Sequence, residues 1–137
     1  MVNGIQTAGY YVMFRIPLHI EFIARVCLSF LWLFTAATSY WWGRSIGYEI
    51  LAQQNIHGDL ASWCINLGSV VDAVIGFWLL IGRQLGWCYK FQMILILTYS
   101  VLISFIAPQL WLHPFGPITK NIPIIALIFI LMKSEAY

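Results

Sequence analysis

The chain alternates long apolar stretches with short polar connections, and each stretch has the length of a helix that crosses a bilayer rather than of a strand. A first apolar run occupies 17–42 and stops at Gly43. Its opening turns carry Glu21 and Arg25, an i,i+4 pair in the favoured order that predicts a salt bridge at the membrane edge. Its far end carries an aromatic belt, Tyr40, Trp41 and Trp42. The longest polar connection, 43–59, follows, with a short surface helix predicted over 48–53. Asp59 reads as the N-cap of a second run, 60–81, which ends in Ile81-Gly82. Arg83 and Gln84 turn the chain into a third run, 85–107, closed by Pro108. A rigid turn, His113-Pro114-Phe115-Gly116-Pro117-Ile118-Thr119-Lys120-Asn121, opens the last and shortest run, 117–132. Pro117 suits a first helical position, where its missing N–H costs nothing. Residues 1–16 mix Tyr10, Tyr11, Phe14 and Arg15, which predicts an interfacial N-terminal arm rather than a span. The expected fold is all-α, an integral membrane four-helix bundle.

Composition sharpens that expectation. The chain has 137 residues, of which 61% are hydrophobic, 17% aromatic and 9% charged, with a mean hydropathy of +0.83. Soluble domains carry about 25% charged residues, so too few charges are present here to solvate a globule. The net charge of +2 is small and the basic residues are scattered, which excludes a nucleic-acid partner. If the N-terminus is cytoplasmic, Arg15, Arg25, Arg83, Lys90 and Lys133 lie inside and only Arg44 and Lys120 outside, so the positive-inside rule puts both termini in the cytoplasm. The three cysteines, Cys27, Cys64 and Cys88, have neither zinc spacing nor a partner for a disulfide framework, and read as free thiols in lipid. The start lacks a cationic region before a short apolar core, so no cleaved signal peptide is expected.

Chemistry is sparse. Asp72 lies twelve residues after Leu60, hence ~18 Å along the helix and near mid-membrane, where a carboxylate must pair, face water or hold a proton. Gly68, Asp72 and Gly76 recur every four residues, a small-residue stripe that turns Asp72 toward another helix. Lys120 and Asn121 enter the last run beside it. Two readings stay open for Asp72, Lys120 and Asn121: a proton relay or polar ligand site, with Asp72 as the candidate catalytic group, or a buried ion pair that sets the register of the second and fourth spans. Pro123 leaves the carbonyl of Thr119 without an intrahelical donor, which suggests a polar lining there. On the third run Gln92 and Tyr99 share a face, and with Phe77 and Trp78 they would supply the donor and aromatic wall that a quinone head needs. His113 either anchors the turn through a backbone carbonyl or touches a ligand headgroup. His19 sits at the opposite membrane face and His57 on a polar loop, so no haem or metal pair is expected. No Ser-His-Asp set, Gly-rich phosphate loop or paired carboxylate site is present.

The Leu31-Trp32-Leu33 core of the first span, the stripe Gly68, Asp72 and Gly76 followed by Phe77-Trp78-Leu79-Leu80-Ile81-Gly82, and above all the His113 to Asn121 turn resemble the DoxX-like family of small four-span membrane proteins. Many members have a glutamate where Asp72 stands, and a lysine late in the first span where this chain reads Thr38-Ser39-Tyr40-Trp41-Trp42. The resemblance implies a bacterial inner-membrane bundle, in a family associated with quinone-linked sulfur oxidation and thiol redox complexes. The expected role is a small non-catalytic accessory or assembly subunit of a membrane redox complex, in contact with lipid and with other subunits or a second copy of itself. The alternatives are a quinone-linked oxidoreductase component that uses Asp72, Lys120 and Asn121, and a small solute or proton carrier.

Overall fold

The computed structural model describes residues 16–114 and 116–135. Over them the chain forms helices α1 (Leu18–Trp41), α2 (Arg44–Ala52), α3 (Gly58–Ile81), α4 (Leu85–Ile106) and α5 (Asn121–Glu135), with a 3-10 turn at Pro108–Trp111 before α5. The arm predicted for 1–16 lies, apart from Ile16, outside the described residues. The helices α1, α3 and α4 have 24, 24 and 22 residues and are long and apolar enough to cross a membrane. The last helix, α5, has 15 residues, so it rises ~22 Å against a hydrocarbon core of about 30 Å.

Helix ends follow local chemistry, and several differ from the sequence expectation. The carbonyl of Pro17 accepts the N–H groups of Ile20 and Glu21 at 2.9 and 3.1 Å, which starts α1. Gly82 takes the left-handed conformation (φ 73°) that closes α3 without a Cβ penalty, and the indole of Trp78 donates to the Arg83 carbonyl at 2.7 Å across the loop. Asp59 is not the N-cap: α3 begins at Gly58 after an extended His57, which puts Asp59 in the first turn, where its charge still suits the helix dipole. The surface helix expected over 48–53 is longer and starts at Arg44. Its Tyr48 hydroxyl lies 2.7 Å from that of Ser62 in α3 and also accepts from Arg44; these two contacts hold it below the usual phenol range.

The largest shift is in α5, which starts at Asn121 rather than Pro117. Residues 117–120 form a wound turn in which Lys120 N–H donates to the Gly116 carbonyl at 3.0 Å. Pro123 is consequently the third residue of the helix, where no donor is required of it. The Thr119 carbonyl is not orphaned either, because Ile122 N–H donates to it at 3.2 Å.

Packing is dominated by two pairs, α1 against α3 and α4 against α5. Leu28 and Trp32 from α1, Ile75 and Leu79 from α3, Tyr89 and Ile96 from α4, and Ile128 and Leu131 from α5 make one buried cluster. Outside it the surface is apolar, with Phe30, Trp63, Phe77, Trp87, Ile94 and Phe105 all exposed. Buried polar groups beside exposed aromatic rings invert the pattern of a water-soluble protein and fit a lipid solvent.

Helices α1 and α3 approach each other closely at Gly76. A Cβ there would stand 2.6 Å from Leu33 Cγ and 3.2 Å from the Leu33 backbone nitrogen, and Ser29 Oγ donates to the Gly76 carbonyl at 2.8 Å. Gly76→Val is expected to force α1 and α3 apart and to destabilise the protein by roughly 1–3 kcal/mol; denaturation in mixed micelles measures the loss. Val74→Gly, at an exposed position on the same helix, should instead cost only the helix propensity term of roughly 0.5–1 kcal/mol.

Candidate functional site

The inward face of α3 carries Ser69, Asp72 and Gly76 alongside Ile75 and Leu79, and all are buried there. Asp72 is 6% exposed, and its Oδ1 is buried with no hydrogen-bond partner. The expected partner does not reach it. Lys120 is exposed in the turn before α5, and among the described residues no ion pair joins it to Asp72. The reason is the pairing of helices: α3 lies on α1, whereas α5 lies on α4. Asn121, the neighbour of Lys120, turns instead to α4 and donates from Nδ2 to Ser100 Oγ at 2.8 Å. The three residues therefore form no single site. The polar side chain that reaches this stripe from α4 is Tyr99. The Tyr99 hydroxyl stands 3.5 Å from where a Gly68 Cβ would be, one turn from Asp72.

A second polar contact crosses the core one layer away. Trp32 Nε1 donates to Gln92 Oε1 at 2.8 Å, and Gln92 Nε2 donates back to the Cys88 carbonyl at 3.3 Å. Gln92 is wholly buried, so its amide is used up by α1 and by its own helix. Gln92 and Tyr99 thus face different neighbours, α1 and α3. The quinone wall expected from Phe77 and Trp78 is not assembled: Phe77 is 57% exposed, and the Trp78 indole closes the loop at Arg83. His113 lies exposed in the turn, where its carbonyl accepts Gly116 N–H at 2.8 Å. Sequence reasoning missed Ser29 and Trp32, because a lone Ser or Trp in an apolar run carries no sign of the carbonyl or amide it will meet on another helix.

The DoxX-like family model matches residues 29–129. The chain belongs to the DoxX-like family. No curated protein matches it, and no solved structure does. The match takes in α3 and α4 whole, with Asp72, Tyr99, Lys120 and Asn121, and it accords with the apolar helices in making this a membrane protein. What the DoxX-like interior offers chemically is a buried carboxylate on α3 and a phenol of α4 that reaches the same stripe one helical turn away, beside the saturated amide of Gln92.

The Trp32–Gln92 contact is open to measurement. Gln92→Leu leaves the Trp32 N–H unpaired in the core and is expected to cost roughly 1–3 kcal/mol. A double-mutant cycle with Trp32→Phe should recover a coupling of about 0.6–1.7 kcal/mol, between the average and the maximum for hydrogen bonds joining membrane helices.

Proposed function

We propose that this DoxX-like protein is a small non-catalytic accessory or assembly subunit of a larger membrane complex in the bacterial inner membrane, in a redox or electron-transport system. The observation that carries the proposal is the outward apolar surface. Buried positions make up only 22%, 28% and 17% of the apolar windows of α1, α3 and α4. Large rings such as Trp63, Phe77 and Phe105 stand on the faces that lipid or neighbouring subunits would cover.

In this reading α5 is the fourth span. The wound turn at 117–120 adds to the ~22 Å rise of α5 and brings it nearer the hydrocarbon thickness. The hydroxyl of Ser134 donates to Glu21 Oε2 at 3.4 Å, which supports both termini lying on one side. The excess of Arg and Lys at that end makes it the cytoplasmic side.

A second reading, a quinone-linked oxidoreductase component, is favoured by one observation: the buried Asp72 Oδ1 has no partner in the protein. Asp72 would then accept the proton released when a quinol is oxidised, beside Tyr99. Lys120 and Asn121 do not stand with it.

Purification from the native membrane in gentle detergent, followed by mass spectrometry, tests the first reading. The expected outcome is stoichiometric co-purification of other membrane subunits. Elution of the chain alone with bound quinone overturns it. Asp72→Asn keeps the shape and removes the charge, so the accessory role predicts unchanged assembly and activity of the complex. The oxidoreductase reading predicts instead a loss of roughly 10²–10⁴-fold in turnover, the contribution of a positioned acid or base.

A further inference from the structure

The loop that leads from α3 into α4 meets the last turn of α5, and a cleft of about 270 Å³ opens between them. Leu85 and Met132 give it an apolar lining, while Lys90 and Glu135 supply one charge of each sign. Both charged side chains are exposed, and among the described residues no ion pair joins them. Lys90 stands instead over the Trp87 ring, 4.8 Å from its centroid. Gln84 also lines the cleft, and its side chain makes no cap hydrogen bond to α4. A Cβ on Gly86, another lining residue, would meet no atom within 4 Å, so that wall is open.

A third charge stands at the edge. The i,i+4 salt bridge expected between Glu21 and Arg25 is not made. The Arg25 guanidinium leans over the Phe22 ring, 5.4 Å from its centroid, and rests against Gly82, which lines the same cleft.

We propose that this cleft seats the headgroup of a phospholipid that carries a primary ammonium, a phosphatidylethanolamine, with its phosphate on Lys90 and Gln84 and its ammonium on Glu135. Location is the first argument. The cleft lies at the ends of α3 and α4, which are long and apolar enough to cross a membrane, and hence at the depth of headgroups. Trp87, under Lys90, is a residue type enriched in that layer.

Charge is the second. Basic pockets between membrane helices hold lipid phosphates, and charge-assisted hydrogen bonds make such contacts strong. A carboxylate in the same cleft, unpaired with the lysine, calls for a ligand that brings a cation as well. Phosphatidylglycerol brings the phosphate but sets no cation against Glu135. Phosphatidylcholine brings both charges, but its quaternary nitrogen has no N–H to donate.

Size is the third. Pockets that enclose a whole drug-sized ligand run to roughly 300–1,000 Å³. The cleft is smaller, so it takes a headgroup and leaves the acyl chains outside. Phe91 and Phe129, both exposed further into the span on α4 and α5, offer those chains an apolar surface. The inference rests on the membrane setting and not on the accessory role, so it fails or survives independently of the co-purification result.

Native mass spectrometry of the full chain in detergent micelles tests the site. Phosphatidylethanolamine, phosphatidylcholine and phosphatidylglycerol with identical acyl chains are titrated in turn, and apparent Kd is read for each. The wild-type protein should hold phosphatidylethanolamine roughly fivefold more tightly than either of the others, the upper end for one exposed ion pair. Glu135→Gln should abolish the preference over phosphatidylcholine. Lys90→Gln should weaken all three lipids by about fivefold, because all carry the phosphate. Lys133→Gln, which removes a lysine held over Phe129 and outside the cleft, should change nothing. Equal retention of the three lipids by the wild-type protein overturns the site, and so does tighter binding of phosphatidylglycerol than of phosphatidylethanolamine. A Glu135→Gln protein that keeps the preference, or a Lys90→Gln protein that loses no more than Lys133→Gln, also overturns it.

Discussion

A helix in lipid has no water on its outer face, so each side-chain polar group must find its partner inside or carry the cost alone. This protein meets the constraint by bringing α1 and α3 into near backbone contact at Gly76, where Leu33 fills the space a side chain would take and Ser29 binds the carbonyl. Everything polar in the interior is arranged around that approach. It turns the Ser69, Asp72 and Gly76 face inward and leaves Val70, Val74 and Phe77 outward. It also sets Trp32 opposite Gln92. Asp72 is kept in the interior by the shape of its helix pair, and no opposite charge holds it there.

Much of the architecture was legible in the sequence because it depends on periods and breaks local to the chain. The runs ended by Gly82 and Pro108 are α3 and α4, and the stripe of small residues does face another helix. What was not legible depends on which helices touch. Spacing alone allowed Asp72 to meet Lys120, but the helices pair as α1 with α3 and α4 with α5, and that choice is made by contacts such as Leu33 on Gly76. The same blindness misassigned Glu21: its i+4 neighbour Arg25 is visible in sequence, whereas Ser134 is 113 residues away. Pro123 was misread for a smaller reason. The turn after Gly116 winds for four residues before α5 begins, which moves the proline from a helix interior to a first turn.

The two polar regions differ in character. The interior one is sealed: Asp72, Gln92 and Ser29 are buried, and exposed side chains surround them on the lipid side. The one at the ends of α1 and α5 is open, with Glu135 exposed and Ser134 meeting Glu21. The sealed seam fixes helix register. Family membership supplies the setting in a membrane, while the helix pairing, which no periodicity encodes, decides which groups within it can act together.

Spin-labelled lipids offer the most direct measurement. With a fluorophore placed in turn at the positions of α3 from 69 to 79 other than Gly76, in lipid nanodiscs, quenching by nitroxide on the acyl chains reads which side of the helix touches lipid. A helical rhythm is expected, in which positions 70, 74 and 77 are strongly quenched and positions 69, 72 and 75 are protected. Quenching at position 72 as strong as at 70 and 74 would place the carboxylate of Asp72 against lipid and contradict the pairing of α1 with α3 on which the structure rests.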